Sequence, residues 1–258
     1  MESIQFEIKN AVAWIYLNRP EKYNAFNREM ALSMQDKLDE CETNMSVRCV
    51  VISGNGKAFC AGQDLAEIVS ENGPTMKQIL GEHYNPIIRK IRNLSKPVIA
   101  AVNGVAAGAG ANIALSCDIV LATESASFIQ AFSKIGLIPD SGGTFFLPRL
   151  IGMQKATALM MLGDKIKAEE AEKLGMIFRF FPDEIFLLEV EKMANTLAQM
   201  PTKGLAYTKQ ALNLSMENSF EQQLNTEDQF QQKAATTNDF QEGVNAFIEK
   251  RKPEFRGD

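Results

Sequence analysis

The 258-residue chain has one histidine, one tryptophan and no pair of cysteines in CxxC spacing. A lone His83 excludes His-rich zinc sites, and any serine–histidine or cysteine–histidine couple would have to use that residue. Cys41, Cys49, Cys60 and Cys117 therefore read as free thiols of an intracellular, cytoplasmic protein, and metal-free chemistry is the expectation. Positive charge is also in deficit. With 27 Lys and Arg against 32 Asp and Glu the net charge is -5, which argues against nucleic acid as an obligatory partner. No apolar run approaches membrane-spanning length, and the opening MESIQFEIKN alternates and carries acids, unlike a signal peptide. What is present is ordinary globular material: 45% hydrophobic residues, enough to bury a sizeable core in one large domain or a domain with an appendage.

Residues 96–118, KPVIAAVNGVAAGAGANIALSCD, organise the rest. The apolar run 97–102, opened by a proline, suits a strand buried on both faces. Gly104, Gly108 and Gly110 follow, and 111–115 is small and apolar enough to start a tightly packed helix. A strand feeding a glycine-rich turn and a helix N-terminus delivers backbone N–H groups to one point, which suits a phosphate or a developing oxyanion. The same residues also suit a merely close-packed turn. Two nucleotide signatures fail: Ile113 stands where a dinucleotide fingerprint needs its third glycine, and Gly54-Asn55-Gly56-Lys57 is followed by Ala58, with its glycines too close for a phosphate loop.

Taken in order, Ile4, Phe6 and Ile8 alternate with polar residues and 12–17 is a second extended run, with Lys9-Asn10 as the hairpin turn. Asn27 caps a helix whose apolar positions Met30, Met34, Leu38 and Cys41 recur at helical spacing. A buried strand at 47–53 is followed by a strand-to-turn segment at 58–65, a mobile loop at 71–75, and a helix opened by Pro86 and running to about Leu94. Strands at 119–122 and 127–129 lead to the loop IGLIPDSGG (135–143). Helix resumes from Pro148 to Met161, another at 168–174 is stopped by Gly175, and 176–181 is a strand. Helical segments at 183–199, 202–216, 219–235 and 239–250 complete an α/β pattern: a core of strand–strand–helix units, 1–195, and a helical region, 196–258.

Five segments, LNRPEKYNAFN (17–27), FCAGQDL (59–65), the central stretch, IGLIPDSGGT (135–144) and EGVNAFIEKRKPEF (242–255), together resemble the crotonase, or enoyl-CoA hydratase/isomerase, superfamily. The resemblance runs from about Ile4 to Phe255. It implies a crotonase spiral of ββα units with a C-terminal helical trimerisation region, assembled as a homotrimer or as a hexamer of two trimers. It also implies acyl-CoA chemistry through a thioester enolate held by the backbone N–H groups of Gln63 and Ala109, with coenzyme A part of the substrate and no separate cofactor. Such preorganised donors stabilise the developing negative oxygen more than the neutral carbonyl. The positions it assigns to substrate and CoA binding are Lys22, Asn24, Ala61, Gly62, Asp64, Leu65, Gly108, Asn112 and Phe132, with Phe247 and Lys250 reaching the CoA of a neighbouring subunit. Alone, Lys22, Tyr23 and Asn24 read as a surface turn and Lys250-Arg251-Lys252 as a solvated tail.

Hydratases of the family use two glutamates to activate water; the matching positions here are Asn112 and Phe132, and neither can act as a general base. The remaining acid in these segments is Asp140, which alone reads as a turn cap. The resemblance makes it a catalytic carboxylate, desolvated by Ile135, Leu137 and Ile138, its pKa raised, and able to shuttle one proton. GVAAGAGAN, FSKIGLIPDSGGT and the KQA segment at 209–211 are similar to family members that isomerise an aromatic-ring epoxide in phenylacetate catabolism. A 3-to-2 shift of an enoyl double bond fits the same residues. A hydratase with another water-activating group, a thioester dehalogenase or hydrolase, and a non-catalytic scaffold or RNA-binding member stay open. His83 reads as an acyl-pocket residue or as a structural histidine.

Overall fold

The structure is a computed structural model describing residues 2–71 and 73–258. Strands β1 (Ile4–Lys9) and β2 (Val12–Leu17) pair antiparallel with Lys9 opposite Val12, so the two-residue turn is Asn10-Ala11, at φ +54° and +61°. It lies one residue later than the sequence pattern suggests. A two-residue hairpin loop that follows the strand twist takes positive φ at both positions, which Asn10 tolerates well and Ala11 does not. Helix α1 (Arg28–Thr43) starts where Asn27 Oδ1 accepts the Met30 N–H at 3.0 Å, and it buries Met30, Met34, Leu38 and Cys41.

Strands β3 (Cys49–Gly54) and β4 (Ala58–Cys60) are buried throughout, and α2 (Leu65–Ile68) is capped by Asp64. The loop expected at 71–75 includes Asn72, which lies outside the described residues. The next helix begins at Met76 rather than at Pro86. Thr75 and Gln78 cap each other at the start of α3 (Met76–Gln78), and a π-turn, Ile79–Tyr84, carries the chain into α4 (Asn85–Asn93). A proline has no N–H to donate and crowds the carbonyl four residues back, so the ladder widens ahead of Pro86 and the Asn85 N–H reaches back to Leu80 O.

Strands β5 (Val98–Val102) and β6 (Val105–Ala107) lead into α5 (Ala109–Ser116), followed by β7 (Ile119–Thr123) and β8 (Ser127–Ile129). A 3-10 turn, Ala131–Ile135, precedes α6 (Gly143–Ile151) and α7 (Met153–Leu162). The helix expected from Pro148 thus begins at Gly143, holds the proline inside it, and breaks at Gly152, φ +79°. Strand β9 (Lys165–Lys167), helix α8 (Ala168–Lys173), stopped before Gly175 at φ +74°, and strand β10 (Arg179–Phe181) close this part. The four expected helices follow: α9 (Phe186–Ala198), α10 (Thr202–Ser215), α11 (Phe220–Ala235) and α12 (Asn238–Glu249).

One sheet has the order β1-β2-β3-β5-β7-β10, parallel from β2 onward, and the other β4-β6-β8-β9. Parallel neighbours need a crossover. Here β3, β5 and β7 each hand the chain to a strand of the small sheet, which is the ββα spiral implied by the resemblance. Alternate residues of β3 explain its unbroken apolar run: Val50 and Ile52 face the core with α1 and α4, while Cys49 and Val51 face Phe186, Val190 and Ala194 of α9. Helix α9 lies across residue 195 and packs on the large sheet. Lys209 pins α10 to the same body: its Nζ is 2.8 Å from Asp118 Oδ2 and donates to Ile91 O at 2.7 Å, while Asp118 accepts the Val98 N–H at 2.8 Å. Removing one partner of such a buried pair costs about 3–5 kcal/mol.

Candidate active site

All eight residues of α5 are buried, and the helix is entered through Gly108 at φ +54°. Only small residues let β4 cross it this closely. A Cβ on Gly110 would stand 2.4 Å from Cys60 O and 2.7 Å from Cys60 Sγ. The crossing brings the end of β4 against the start of α5. A Cβ on Gly62 would lie 3.0 Å from Ala107 O and 3.5 Å from Ala109 N, and Gly62 takes φ +92°, which glycine adopts at little cost.

Gln63 and Ala109 lie on the two sides of this crossing. Gln63 forms a parallel bridge with Phe26, in which Phe26 N–H donates to Gly62 O at 2.7 Å and Asp64 N–H to Phe26 O at 2.8 Å. The flanking residues supply that bridge, so the N–H of Gln63 itself points the other way. Ala109 opens α5, where an N–H has no partner within its helix. Among the described residues neither N–H has a protein acceptor. Both residues line a cavity of about 200 Å³ that also takes in Gly62, Gly108, Phe132 and Asp140, with Ala61, Leu65, Ile135 and Leu137 towards its mouth.

Asp140 reaches the cavity from the loop before α6. Gly143 N–H donates to its carbonyl at 2.8 Å and Asn112 Nδ2 at 2.9 Å. Burial pushes its carboxyl above the usual carboxylate range, against a hydrogen bond from Ser141 Oγ at 2.8 Å. Ile138 takes no part in this burial, being 81% exposed.

Several of the expected binding residues do not line this cavity. Asn112 is fully buried and does not line the cavity; its Oδ1 accepts from Gln130 Nε2 at 2.8 Å and its Nδ2 donates to the Asp140 carbonyl, so it ties the Asp140 loop to α5. Asn24 is fully buried too: its Nδ2 donates to Asn55 O and Ala58 O at 2.9 and 2.8 Å, and its Oδ1 accepts the Arg19 N–H at 2.9 Å. Asp64 caps α2; burial raises its carboxyl, but Arg19 at 2.9 Å and the Ala66 N–H outweigh that and hold it below the usual range. Lys22 ends the 3-10 turn Pro20–Lys22 at the surface. On α12, Phe247 is 85% exposed and Lys250 ends the helix at φ +56°; neither lines the cavity of a single chain. His83 is buried outside the cavity, both ring nitrogens without partners among the described residues, and burial depresses its pKa. Its neighbour Tyr84 lines the cavity instead, as does Lys134, and the sequence singled out neither. Pro86 within an apolar helical pattern is the one signal that could have found Tyr84, since it forces the π-turn.

A family model described as Enoyl-CoA hydratase/isomerase matches residues 7–258. The chain belongs to the enoyl-CoA hydratase/isomerase family. Over 260 residues it is 44% identical to the 1,2-epoxyphenylacetyl-CoA isomerase of Escherichia coli (strain K12), covering 100% of this chain and 99% of that one. It is 42% identical to a Rhodobacter capsulatus protein named "Probable enoyl-CoA hydratase", over 99% of this chain and 98% of the relative. The crystal structure of an enoyl-CoA hydratase subunit I from Geobacillus kaustophilus HTA426 superposes with TM-score 0.92 at 33% identity, over 99% and 98% of the two chains. The spiral is thus the crotonase fold of the enoyl-CoA hydratase/isomerase family. Among the described residues no helix is long and apolar enough to cross a membrane.

Proposed function

We propose that the protein is an acyl-CoA isomerase acting on an epoxyphenylacetyl-CoA, with the Gln63 and Ala109 N–H groups holding the thioester enolate and Asp140 moving the proton. The observation that carries this reading is the joint presence, in one largely apolar cavity, of two N–H donors without protein acceptors and a single raised carboxylate. Asp140 takes the proton α to the thioester, and the charge collects on the thioester oxygen between the two donors. The carbon–carbon bond shared by the epoxide and the six-membered ring breaks electrocyclically, both C–O bonds being kept, which gives the seven-membered oxepin. The enolate's electrons shift into the conjugated double bonds of that ring, and Asp140 returns the same proton at a ring carbon. Every atom is conserved, no water is consumed and no cofactor beyond the substrate's own CoA is needed. Loss of one oxyanion donor typically costs about 10²–10³ in rate.

The 44% relative supports the epoxide substrate. The 42% relative's name favours a second reading, hydration of an enoyl-CoA, and a 3-to-2 double-bond shift uses the same groups. Assembly as a homotrimer, or a hexamer of two trimers, in the cytoplasm belongs to the same proposal. Phe240, Phe247 and Ile248, all exposed on α12, support it, with 1–195 as the catalytic spiral and 196–258 as the assembling region. Product analysis with epoxyphenylacetyl-CoA, a 3-enoyl-CoA and a 2-enoyl-CoA tests the reading. Conversion of the epoxide without mass change is expected; consumption of the 2-enoyl thioester alone, with gain of water, would replace isomerisation by hydration.

A further inference from the structure

We propose that Tyr84 and Glu67 are positioning residues that lock the Gln63 peptide in its donor orientation by gripping both ends of the Gln63 side chain. This rests on the reading of the Gln63 N–H as an oxyanion donor. Tyr84 Oη donates to Gln63 Oε1 at 3.0 Å, and Gln63 Nε2 donates to Glu67 Oε2 at 2.7 Å. Glu67 Oε1 accepts the Arg28 N–H at 2.9 Å, which anchors the grip to the start of α1. The amide of Gln63 is held by a phenol from one side and a carboxylate from the other.

A grip is needed because Gly62 carries no Cβ to resist rotation of the peptide between residues 62 and 63. If that peptide turned over, the Gly62 carbonyl would enter the cavity in place of the Gln63 N–H, and the 2.7 Å bond from Phe26 N–H would break. The Phe26 bridge resists this from the main chain; the amide grip resists it from the side chain. The π-turn supplies the phenol. Ile79 and Tyr84 both line the cavity, yet five residues along a regular α-helix they would point about 140° apart. Tyr84 is fully buried, which holds its phenol well above the usual range and keeps it a donor.

Tyr84→Phe keeps the ring and removes the donor; Glu67→Ala removes the opposite grip, and Glu67→Gln restores an acceptor. With kcat and KM measured separately, Tyr84→Phe and Glu67→Ala are expected to lose about tenfold in kcat with KM nearly unchanged, and Glu67→Gln, whose single oxygen can replace one of the two acceptors, to recover part of it. Adding Tyr84→Phe to Gln63→Leu should slow the enzyme no further. A readout independent of turnover is the infrared band of phenylacetyl-CoA labelled with carbon-13 at its thioester carbonyl. Bound to the wild-type protein it should fall below the free-ligand frequency, and in Tyr84→Phe and Glu67→Ala move back towards it. Variants with wild-type kcat and an unmoved band overturn the grip. A wild-type protein that shifts the band but converts no thioester sinks the isomerase reading alone, the variants' bands then deciding on the grip. A wild-type band at the free frequency overturns both.

Discussion

Adding one methyl group at Gly62 tests how closely the thioester oxygen must approach the two donors. Gly62→Ala places a Cβ 3.5 Å from Ala109 N and 3.0 Å from Ala107 O. An oxyanion must sit about 2.7–3.1 Å from that nitrogen, so the methyl group and the oxygen compete for one space. Losing one donor removes about 2.7–4 kcal/mol of transition-state stabilisation, or about 10²–10³ in kcat. The backbone carries a separate cost. A non-glycine residue at φ +92° costs about 1–3 kcal/mol, and each kcal/mol lowers the melting temperature of a chain this size by about 2–4 °C. Gly152→Ala separates the two effects, because Gly152 also has positive φ, +79°, and a Cβ there meets nothing within 4 Å. Steady-state kinetics with scanning calorimetry should show both variants melting a few degrees early and only Gly62→Ala losing kcat. A Gly62→Ala enzyme with kcat within threefold of wild type would refute the geometry of the donor pair.

Asp140 must be ionised to accept a proton, and burial raises its pKa, so kcat/KM should rise with pH through a midpoint above the ordinary aspartate value. A midpoint at or below that value would contradict the burial. A carboxyl raised in the folded state adds stability at low pH that is lost as pH rises through its folded pKa, so Asp140→Asn should melt above wild type near pH 7, with the gap closing in acid. His83 is depressed instead. Below an imidazole's ordinary pKa of about 6.5 the unfolded chain takes up a proton that the folded one refuses, and stability falls. His83→Leu should flatten the drop in melting temperature between about pH 7.5 and 5.5; equal drops in the two proteins would remove His83 from the acid response.

Much of this layout could be read from residue pattern alone where the local signal was strong. Asn27 as a cap, the doubly buried β5, Gly175 as a helix stop and the four closing helices follow from capping, periodicity and glycine chemistry. Strands β6 and β9 escaped because Val105–Ala107 lies between the glycines of the central stretch and Lys165–Lys167 has one apolar residue between two lysines. The start of α6 escaped because Pro148 looks like a helix opening, while Gly143, packed against the Asn112 side chain, is the real one. At the site, Gln63, Ala109 and Asp140 come from the resemblance of the turns that hold them to the family, since residue pattern alone offers a glycine-rich turn and a turn cap; the structure brings the three to one cavity. Tyr84 was not legible, since its direction depends on a π-turn, nor was the burial of Asn24 and Asn112, whose hydrogen-bond partners lie far along the chain.

The most direct test pairs binding with turnover in Asp140→Asn: calorimetric titration with phenylacetyl-CoA, then single-turnover conversion of epoxyphenylacetyl-CoA. Affinity within about threefold of wild type and conversion slower by about 10²–10⁴ are expected for an aspartate that only moves the proton. Conversion within a few-fold of wild type would show that another group does the chemistry.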